Sequence, residues 1–526
     1  MKNAGAVILS SSKKLWNQII NGPQSYQFYT ALFLGSLGGL AFAPFNFYLI
    51  LIPIFSGLLL LLGRISSLKR AFLLGWAFGF SYFTSGVFWV SVSFSKVGLG
   101  YLMPLVVVGF SLLLGIFPAL ACALTCLWQR NPIQQVLLFC GIWSLTEWLR
   151  GHILTGFPWN LVGYAWDLPM LQVCAWVGIY GLSFLTIFLA TIWVSKSRKI
   201  ISISLLAAFT LWILGSHRAE QGHSLGDTGI NMRLVQPSIQ QEKKWSPEHL
   251  SKTVNLHIAL SGLEAEKPLK AIIWPEAAIP CFFENHPGLF EAVRGAIPEG
   301  AVLLTGAPRQ EKTQDNAIPA HVWNSLFALN EKGEILAIYD KSHLVPFGEY
   351  VPFREILPVE KLTPGTIDYS KGNGIKTINI QGIPPFSPLI CYEAIFPGNV
   401  IDPTSKPQFL LNLTNDAWYG HTNGPYQHLS IVRVRAIEEG LPLVRTANNG
   451  ISAVVDAYGK ILYRLNLDAI GFIDFSLPKN LTCNTIFSYL REIPFSFMII
   501  VALLLSYLIR ARENHVRDQE SKTESR

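Results

Sequence analysis

Up to about residue 217 this chain runs in apolar blocks of about 20 residues with few charges, and one more such block stands at 492–511. An uninterrupted apolar run of that length is what an α-helix needs to cross a hydrocarbon core about 30 Å thick. In lipid every backbone N–H and C=O must be satisfied within the segment, so these blocks are expected to be transmembrane helices. They fall near 27–44, 47–63, 71–93, 101–128, 133–150, 169–194, 199–216 and 492–511, which makes eight spans. Only 14% of the residues are charged, against about 25% in soluble domains. The shortfall sits in those blocks, whereas 218–490 reads as a soluble domain. The expected organisation is a membrane block of about seven helices (1–217), an outer domain (218–490), a closing helix (491–511) and a charged tail (512–526).

The formal charge of +7 does not point to nucleic acid, because the positive residues stand beside apolar runs, where they set topology. Lys13 and Lys14 precede the first span, and Arg64, Lys69 and Arg70 separate the second and third. Arg130 follows the fourth, Lys196, Arg198 and Lys199 separate the sixth and seventh, and Arg510, Arg512 and Arg517 follow the last. Lys96 is the exception. The positive-inside rule then places these clusters and both termini in the cytoplasm, with 218–490 on the far side of the inner membrane, in the periplasm. The polar stretch Asn17–Gln27 before the first run, and the spans that follow, argue against a cleavable signal.

Glu147 and Arg150, three residues apart near the outer end of the fifth span, read as an interfacial ion pair or as a polar floor beneath a lipid groove. The loop TGFPWN at 155–160 reads as an interfacial element with Trp159 as its anchor. Gly35, Gly38 and Gly39 would let helices approach closely. Of seven cysteines, Cys122, Cys126, Cys140 and Cys174 fall in apolar spans, leaving Cys281, Cys391 and Cys483 with neither pairing nor metal-type spacing. No metal or cofactor is expected.

In the outer domain the runs MRLVQ, AIIWPE, VLLTGAP, SLFALN, ILAIYDK, SPLICYE, FLLNLTN, LVRTAN and AVVDAYG read as strands, many buried on both faces. NEKGE at 330–334 reads as a hairpin turn in which Gly333 takes positive φ. Segments 248–265 and 426–440 read as helices, the second ended by Gly440. Strands alternating with helices suit an α–β–β–α sandwich.

Three side chains in this domain stand just after strand-like runs: Glu276 in AIIWPEAAIP, Lys341 in IYDKSHLVPFGEYVP and Cys391 in LICYEAIFPG. A thiol attacks an acyl carbon as its thiolate, so it needs a base within reach, and a carboxylate in a poorly solvated pocket can serve. Glu276 suits that role, while Lys341 and the backbone N–H of Tyr392 can stabilise the oxyanion. Taken singly, each has an ordinary structural reading: a strand-end carboxylate, a solvated lysine, a buried thiol. Their order, with WPE, DK and CYE contexts, favours a catalytic set. Glu349 and Glu393 could orient Lys341 or tune Glu276.

These motifs, with LAFAPFNF and TEWLRGHILTGFPWN in the membrane block, resemble the apolipoprotein N-acyltransferase family, whose outer domain is a nitrilase-like carbon–nitrogen hydrolase. The resemblance spans nearly the whole chain. It implies Glu276 as base, Lys341 as oxyanion stabiliser and Cys391 as the residue that carries a thioester. It also marks Trp245 in EKKW, Glu349, Tyr392 and Glu393, and makes Trp418 in TNDAWYG similar to a lid residue. The implied reaction is ping-pong transfer of an acyl chain from a glycerophospholipid, phosphatidylethanolamine above others, to the α-amine of a diacylated apolipoprotein. The implied setting is the inner membrane of a Gram-negative bacterium, among membrane lipids, with the enzyme a monomer. The alternative is a membrane-anchored amidohydrolase that hydrolyses its thioester; a lipid-binding protein with an inert nitrilase-like domain and a transporter fit less of the sequence.

Overall fold

The computed structural model describes residues 23–128, 131–311, 320–356, 359–365 and 367–524. Lys13, Lys14 and Arg130, three of the residues invoked for topology, lie outside them. The chain divides into two compact units. The first runs to Phe88 and adds Pro104–Leu214 and the chain from Leu490 onward; the second consists of Trp89–Met103 and Gly215–Tyr489.

The helical unit contains a helical stretch at each of the eight expected positions, and among the described residues five helices are long and apolar enough to cross a membrane: Leu68–Ser95, Gly100–Trp128, Cys174–Ser195, Arg198–Glu220 and Ile493–Thr523. Arg198–Glu220 leaves Ile203, Leu206 and Phe209 more than half exposed. An apolar surface of that extent suits hydrocarbon rather than water. The expected glycine packing is present: a Cβ on Gly35 would run into the Phe78 carbonyl, and one on Gly39 would lie 2.7 Å from the Ser85 carbonyl oxygen.

Two readings of this unit change. Trp159 is 1% exposed, so it is a packed side chain and not an interfacial anchor. Arg150 is also buried, and its Nη1 donates to the carbonyls of Phe157 (2.7 Å) and Trp159 (2.6 Å). Glu147, buried too, accepts from Val162 N (3.0 Å) and Trp143 Nε1 (3.2 Å). These side chains therefore tie down the loop after helix Pro132–His152 and do not snorkel. Buried carbonyls and N–H groups need protein partners, and Arg150 and Glu147 supply them to this loop.

The second unit holds two six-stranded sheets among the described residues. Its strands are β1 (Asp227–Gln236), β2 (Ala271–Ile273), β3 (Val302–Gln310), β4 (Val322–Asn330), β5 (Ile335–Asp340), β6 (Ile378–Ile380), β7 (Ile383–Ile390), β8 (Phe409–Thr414), β9 (Leu443–Ala447), β10 (Ser452–Val455), β11 (Ile461–Leu465) and β12 (Gly471–Pro478). The orders are β12-β1-β2-β3-β4-β5 and β11-β10-β9-β8-β7-β6. In each sheet three central strands run parallel, β1-β2-β3 and β7-β8-β9, and the flanking pairings are antiparallel. Met232, Leu234 and Ile273 of one sheet pack with Phe386, Leu411 and Val444 of the other, forming the central core. Helices Pro247–Ser261 and Pro287–Gly295 cover the outer face of the first sheet, through Val254 and Val293. Helix Gly424–Glu439 covers the second through Val432 and Ala436 and ends at Gly440 in the left-handed region. The expected four layers are present, and β8, β9 and β10 are buried at every position, as continuous apolar runs require. Gly333 takes φ +81° in the β4–β5 turn.

The strands not foreseen are β6, β11 and β12. Three residues leave β6 too short for any periodicity, and β11 is largely exposed, so it lacks the apolar signal. Trp89–Met103 docks within this unit: Trp89 donates to Gln427 Oε1 (3.3 Å) and packs on Tyr419, and Lys96 pairs with Glu242 at 3.0 Å. That contact accounts for the lysine that broke the charge pattern.

Candidate active site

Parallel strands leave their C-terminal ends together at one edge of a sheet, where side chains far apart in sequence can meet. Glu276 lies three residues beyond β2, after Trp274 and Pro275. Trp274 N bonds the Leu304 carbonyl at 2.8 Å, and the chain then turns sharply, with Ala277 at φ +46°. Gly306 on β3 makes room for the turn, since a Cβ there would lie 2.7 Å from the Pro275 carbonyl oxygen and 2.8 Å from Glu276 Cα. Lys341 directly follows β5, with its N–H on the Asn324 carbonyl at 2.8 Å. Cys391 directly follows β7 at φ +52° and opens the 3₁₀ turn Cys391–Ile395. A non-glycine residue in that region is strained, and such strain collects at functional sites.

The three side chains are buried: Glu276 is 8% exposed, Lys341 1% and Cys391 6%. Lys341 Nζ lies 2.9 Å from Glu349 Oε1 and 3.5 Å from Glu276 Oε1. Burial alone would lower its pKa, but Glu349, Glu276 and Cys391 outweigh that and raise it, so the ammonium is held charged. Burial pushes the Cys391 thiol up to about 12, Glu276 adds to the rise, and Lys341 opposes it. In the resting site the thiol therefore keeps its proton, and ionisation must be coupled to proton transfer.

Of the supporting residues foreseen, Glu349 and Glu393 meet the set through dense hydrogen bonding. Glu349 accepts from Lys341 Nζ, Asn324 Nδ2 (3.0 Å) and Val345 N (2.8 Å). Glu393 accepts from Ile390 N (2.7 Å), Tyr339 OH (2.7 Å), Ser342 N (2.7 Å) and Oγ (2.8 Å), and His343 N (3.1 Å). Glu393 thus staples the turn that carries Cys391 to the segment after Lys341. Burial raises its pKa and the donated hydrogen bonds oppose that. Tyr392 is buried, its ring edge-on to Phe396 and His343. Trp245 caps the turn Gln241–Lys244, and Trp418 lies in the 3₁₀ turn Asp416–Tyr419; both are partly exposed.

The structure adds residues that motif reading did not single out. Asn324 Nδ2 donates to both carboxylates, Glu276 Oε1 at 2.8 Å and Glu349 Oε1 at 3.0 Å, so it holds them around Lys341. Behind Cys391, Asp416 accepts from Arg445 (2.7 Å) and lies 2.9 Å from His428 Nδ1, all three buried. Burial would raise the Asp416 carboxyl, but Arg445 and His428 bring it down to about 2. Lys244 Nζ reaches the Glu276 carbonyl at 2.8 Å. Among the described residues no group of three His, Cys, Asp or Glu side chains is arranged to hold a metal.

Residues 34–192 match the apolipoprotein N-acyltransferase N-terminal domain, and residues 232–482 match the carbon–nitrogen hydrolase family. An apolipoprotein N-acyltransferase of Rickettsia typhi is 38% identical over 491 residues, covering 90% of this chain and 97% of the relative. This chain belongs to the apolipoprotein N-acyltransferase family. The family's member from Rhodopseudomonas palustris is 34% identical over 514 residues, covering 92% of this chain and 95% of its own length. Among solved structures, a Nesterenkonia AN1 amidase from the nitrilase superfamily aligns with 48% of this chain and 93% of its own, at 19% identity and a TM-score of 0.36. As a member of this family the chain is an acyltransferase with a helical membrane part and a carbon–nitrogen hydrolase domain.

Proposed function

We propose that this protein transfers an acyl chain from a glycerophospholipid, with phosphatidylethanolamine the preferred donor, to the α-amine of the diacylglyceryl-cysteine of lipoproteins. The observation that carries the reading is the buried ion set of Glu276, Lys341 and Glu349, in electrostatic contact with the Cys391 thiol at the strand ends. Glu276 takes the thiol proton as sulfur attacks the ester carbonyl. Lys341 and the Tyr392 N–H stabilise the oxyanion. The carbon–oxygen bond to glycerol breaks, and the departing alkoxide takes the proton back from Glu276 to leave as lysophospholipid. The acceptor amine then attacks the thioester, Glu276 receives its proton, and the carbon–sulfur bond breaks to regenerate Cys391. Because lysophospholipid leaves a covalent thioester before the amine reacts, the cycle is ping-pong.

Both substrates are held by acyl chains in a bilayer, which is the chemical reason for an acyltransferase of this kind to carry a helical membrane part. Trp245 and Trp418, partly exposed near this edge of the domain, serve as substrate contacts in this reading. The N-terminal block 1–217, with about seven spans, and the closing helix 491–511 belong to the inner membrane in this reading, with 218–490 in the periplasm and both termini in the cytoplasm. The protein works as a monomer. Incubation with phosphatidylethanolamine and a synthetic diacylated lipopeptide tests this: the lipopeptide should gain the mass of one acyl chain and lose its free amine. Release of free fatty acid with the lipopeptide unchanged would instead make the protein a hydrolase.

A further inference from the structure

We propose that Lys244 is a positioning residue for this reaction, a second cation that fixes the backbone of Glu276 and favours the Cys391 thiolate. The inference rests on the assignment of Cys391 as nucleophile and adds a residue to it.

Lys244 ends the short helical turn Gln241–Lys244 and is 1% exposed. A lysine buried to that degree is unusual unless its charge is answered by acceptors or anions. Its Nζ donates to the Glu276 carbonyl oxygen at 2.8 Å. That carbonyl belongs to the peptide that enters the strained turn at Ala277, φ +46°, so the ammonium pins the backbone at the base itself.

The turn is anchored in its own right. Gln241 Oε1 accepts from Asn415 Nδ2 at 2.7 Å. Ser238 N bonds the Asn448 carbonyl at 2.8 Å, Ile239 N bonds Asn448 Oδ1 at 3.1 Å, and Asn448 Nδ2 returns to Ile239 O at 2.7 Å. Asn415 and Asn448 follow β8 and β9 of the second sheet, whereas Glu276 follows β2 of the first. Lys244 therefore links the two sheets at the edge where the nucleophile and the base emerge.

The titratable groups facing Lys244 are Glu276 after β2, Cys391 after β7 and His257 on helix Pro247–Ser261. Burial lowers the Lys244 pKa to about 8 against the opposing pull of Glu276 and Cys391. Burial likewise lowers His257 to about 4, so that imidazole is neutral at working pH. Lys341 stands on the carboxylate side of Glu276, at 3.5 Å, and Lys244 on its carbonyl side. When the thiol ionises, two cations answer the new charge. Above the Lys244 pKa only Lys341 remains.

The rate at which iodoacetamide alkylates Cys391 tests this, because the reagent is uncharged and requires no lipid. It would be followed at the Cys391 peptide by mass spectrometry on the full-length protein in detergent micelles from pH 6 to 10. In the wild type the rate should climb with pH, flatten to a shoulder near pH 8 as Lys244 loses its proton, then climb again. Lys244→Met should be at least about ten-fold slower at pH 7, the effect of one pKa unit at the thiol, with no shoulder, converging on the wild type by pH 10. Lys244→Arg, which stays charged, should remain faster than Lys244→Met across the range. A purely structural role would slow Lys244→Met by the same factor at every pH, and that result overturns the proposal, as does an equal rate at pH 7. If neither variant gives a cooperative melt, the wild-type profile decides, and a single featureless climb overturns it. Phospholipid that fails to acylate a wild-type protein showing the shoulder would refute the acyltransfer reading and leave Lys244 in place.

Discussion

Asn324→Ala should slow thioester formation by about 10²-fold while leaving the protein folded. The Asn324 carboxamide donates to Glu276 Oε1 at 2.8 Å and Glu349 Oε1 at 3.0 Å, and the side chain is 7% exposed. Hydrogen bonds to charged groups contribute about 1.5–3 kcal/mol each, so the pair is worth about 3–6 kcal/mol. Lys341 still holds both carboxylates in the variant, at 2.9 and 3.5 Å, which places the loss at the low end. A loss of about 3 kcal/mol in positioning the base corresponds to about 10²-fold in rate. The bond from Lys341 N to the Asn324 carbonyl is made by backbone and survives the change. Asn324→Asp sharpens the test, because it sets a third carboxylate beside two that share one lysine. Like charges at that spacing retain a proton, so this variant should recover part of its rate at pH 6 relative to pH 8. The assay is single-turnover acylation by phosphatidylethanolamine, read by intact mass. An alanine variant within three-fold of wild type, or an aspartate variant that gains nothing at acid pH, would refute the reasoning.

Three further outcomes follow from the same geometry. Gly306→Ala puts a Cβ 2.7 Å from the Pro275 carbonyl oxygen, so it should displace Glu276 and slow acylation more than ten-fold with only a modest drop in melting temperature. Asp416→Asn leaves Arg445 and His428 without their buried anion, and breaking such a pair costs about 3–5 kcal/mol, which a lowered melting temperature should report. The folded Asp416 carboxyl lies at about 2 against an ordinary 3.8, so its contribution is present above about pH 4 and lost as pH falls towards 2; the variant should lack that component of acid destabilisation. Glu393→Gln turns an oxygen that only accepts into an amide that must face donors such as Ile390 N or Ser342 N, at about 1–3 kcal/mol for each unsatisfied group; both stability and acylation rate should fall.

Glu276, Lys341 and Cys391 were legible because each follows a short strand-like run rich in apolar residues, and strand ends on one edge of a sheet come together. The central strands were legible because most of their positions are apolar and β8, β9 and β10 are buried throughout. Asn324, Lys244 and the Asp416–His428–Arg445 group were not, because their roles arise from contacts across strands and between sheets. Asn324 reaches Glu276 across 48 positions, and Arg445 reaches Asp416 across 29. A polar residue in an apolar strand carries no local sign of which charge it faces. Trp159 was misread for a related reason: a Gly-Pro-Trp loop beside a span has the composition of an interfacial anchor, and only the bonds from Arg150 reveal that it folds inward.

The most direct test of the central claim is the intact mass of the purified protein after incubation with phosphatidylethanolamine alone, beside Cys391→Ala. The account predicts a hydroxylamine-labile acyl adduct on the wild type and none on the variant. An adduct that persists in Cys391→Ala, or lysophospholipid released by Cys391→Ala as fast as by the wild type, would contradict a thioester at Cys391.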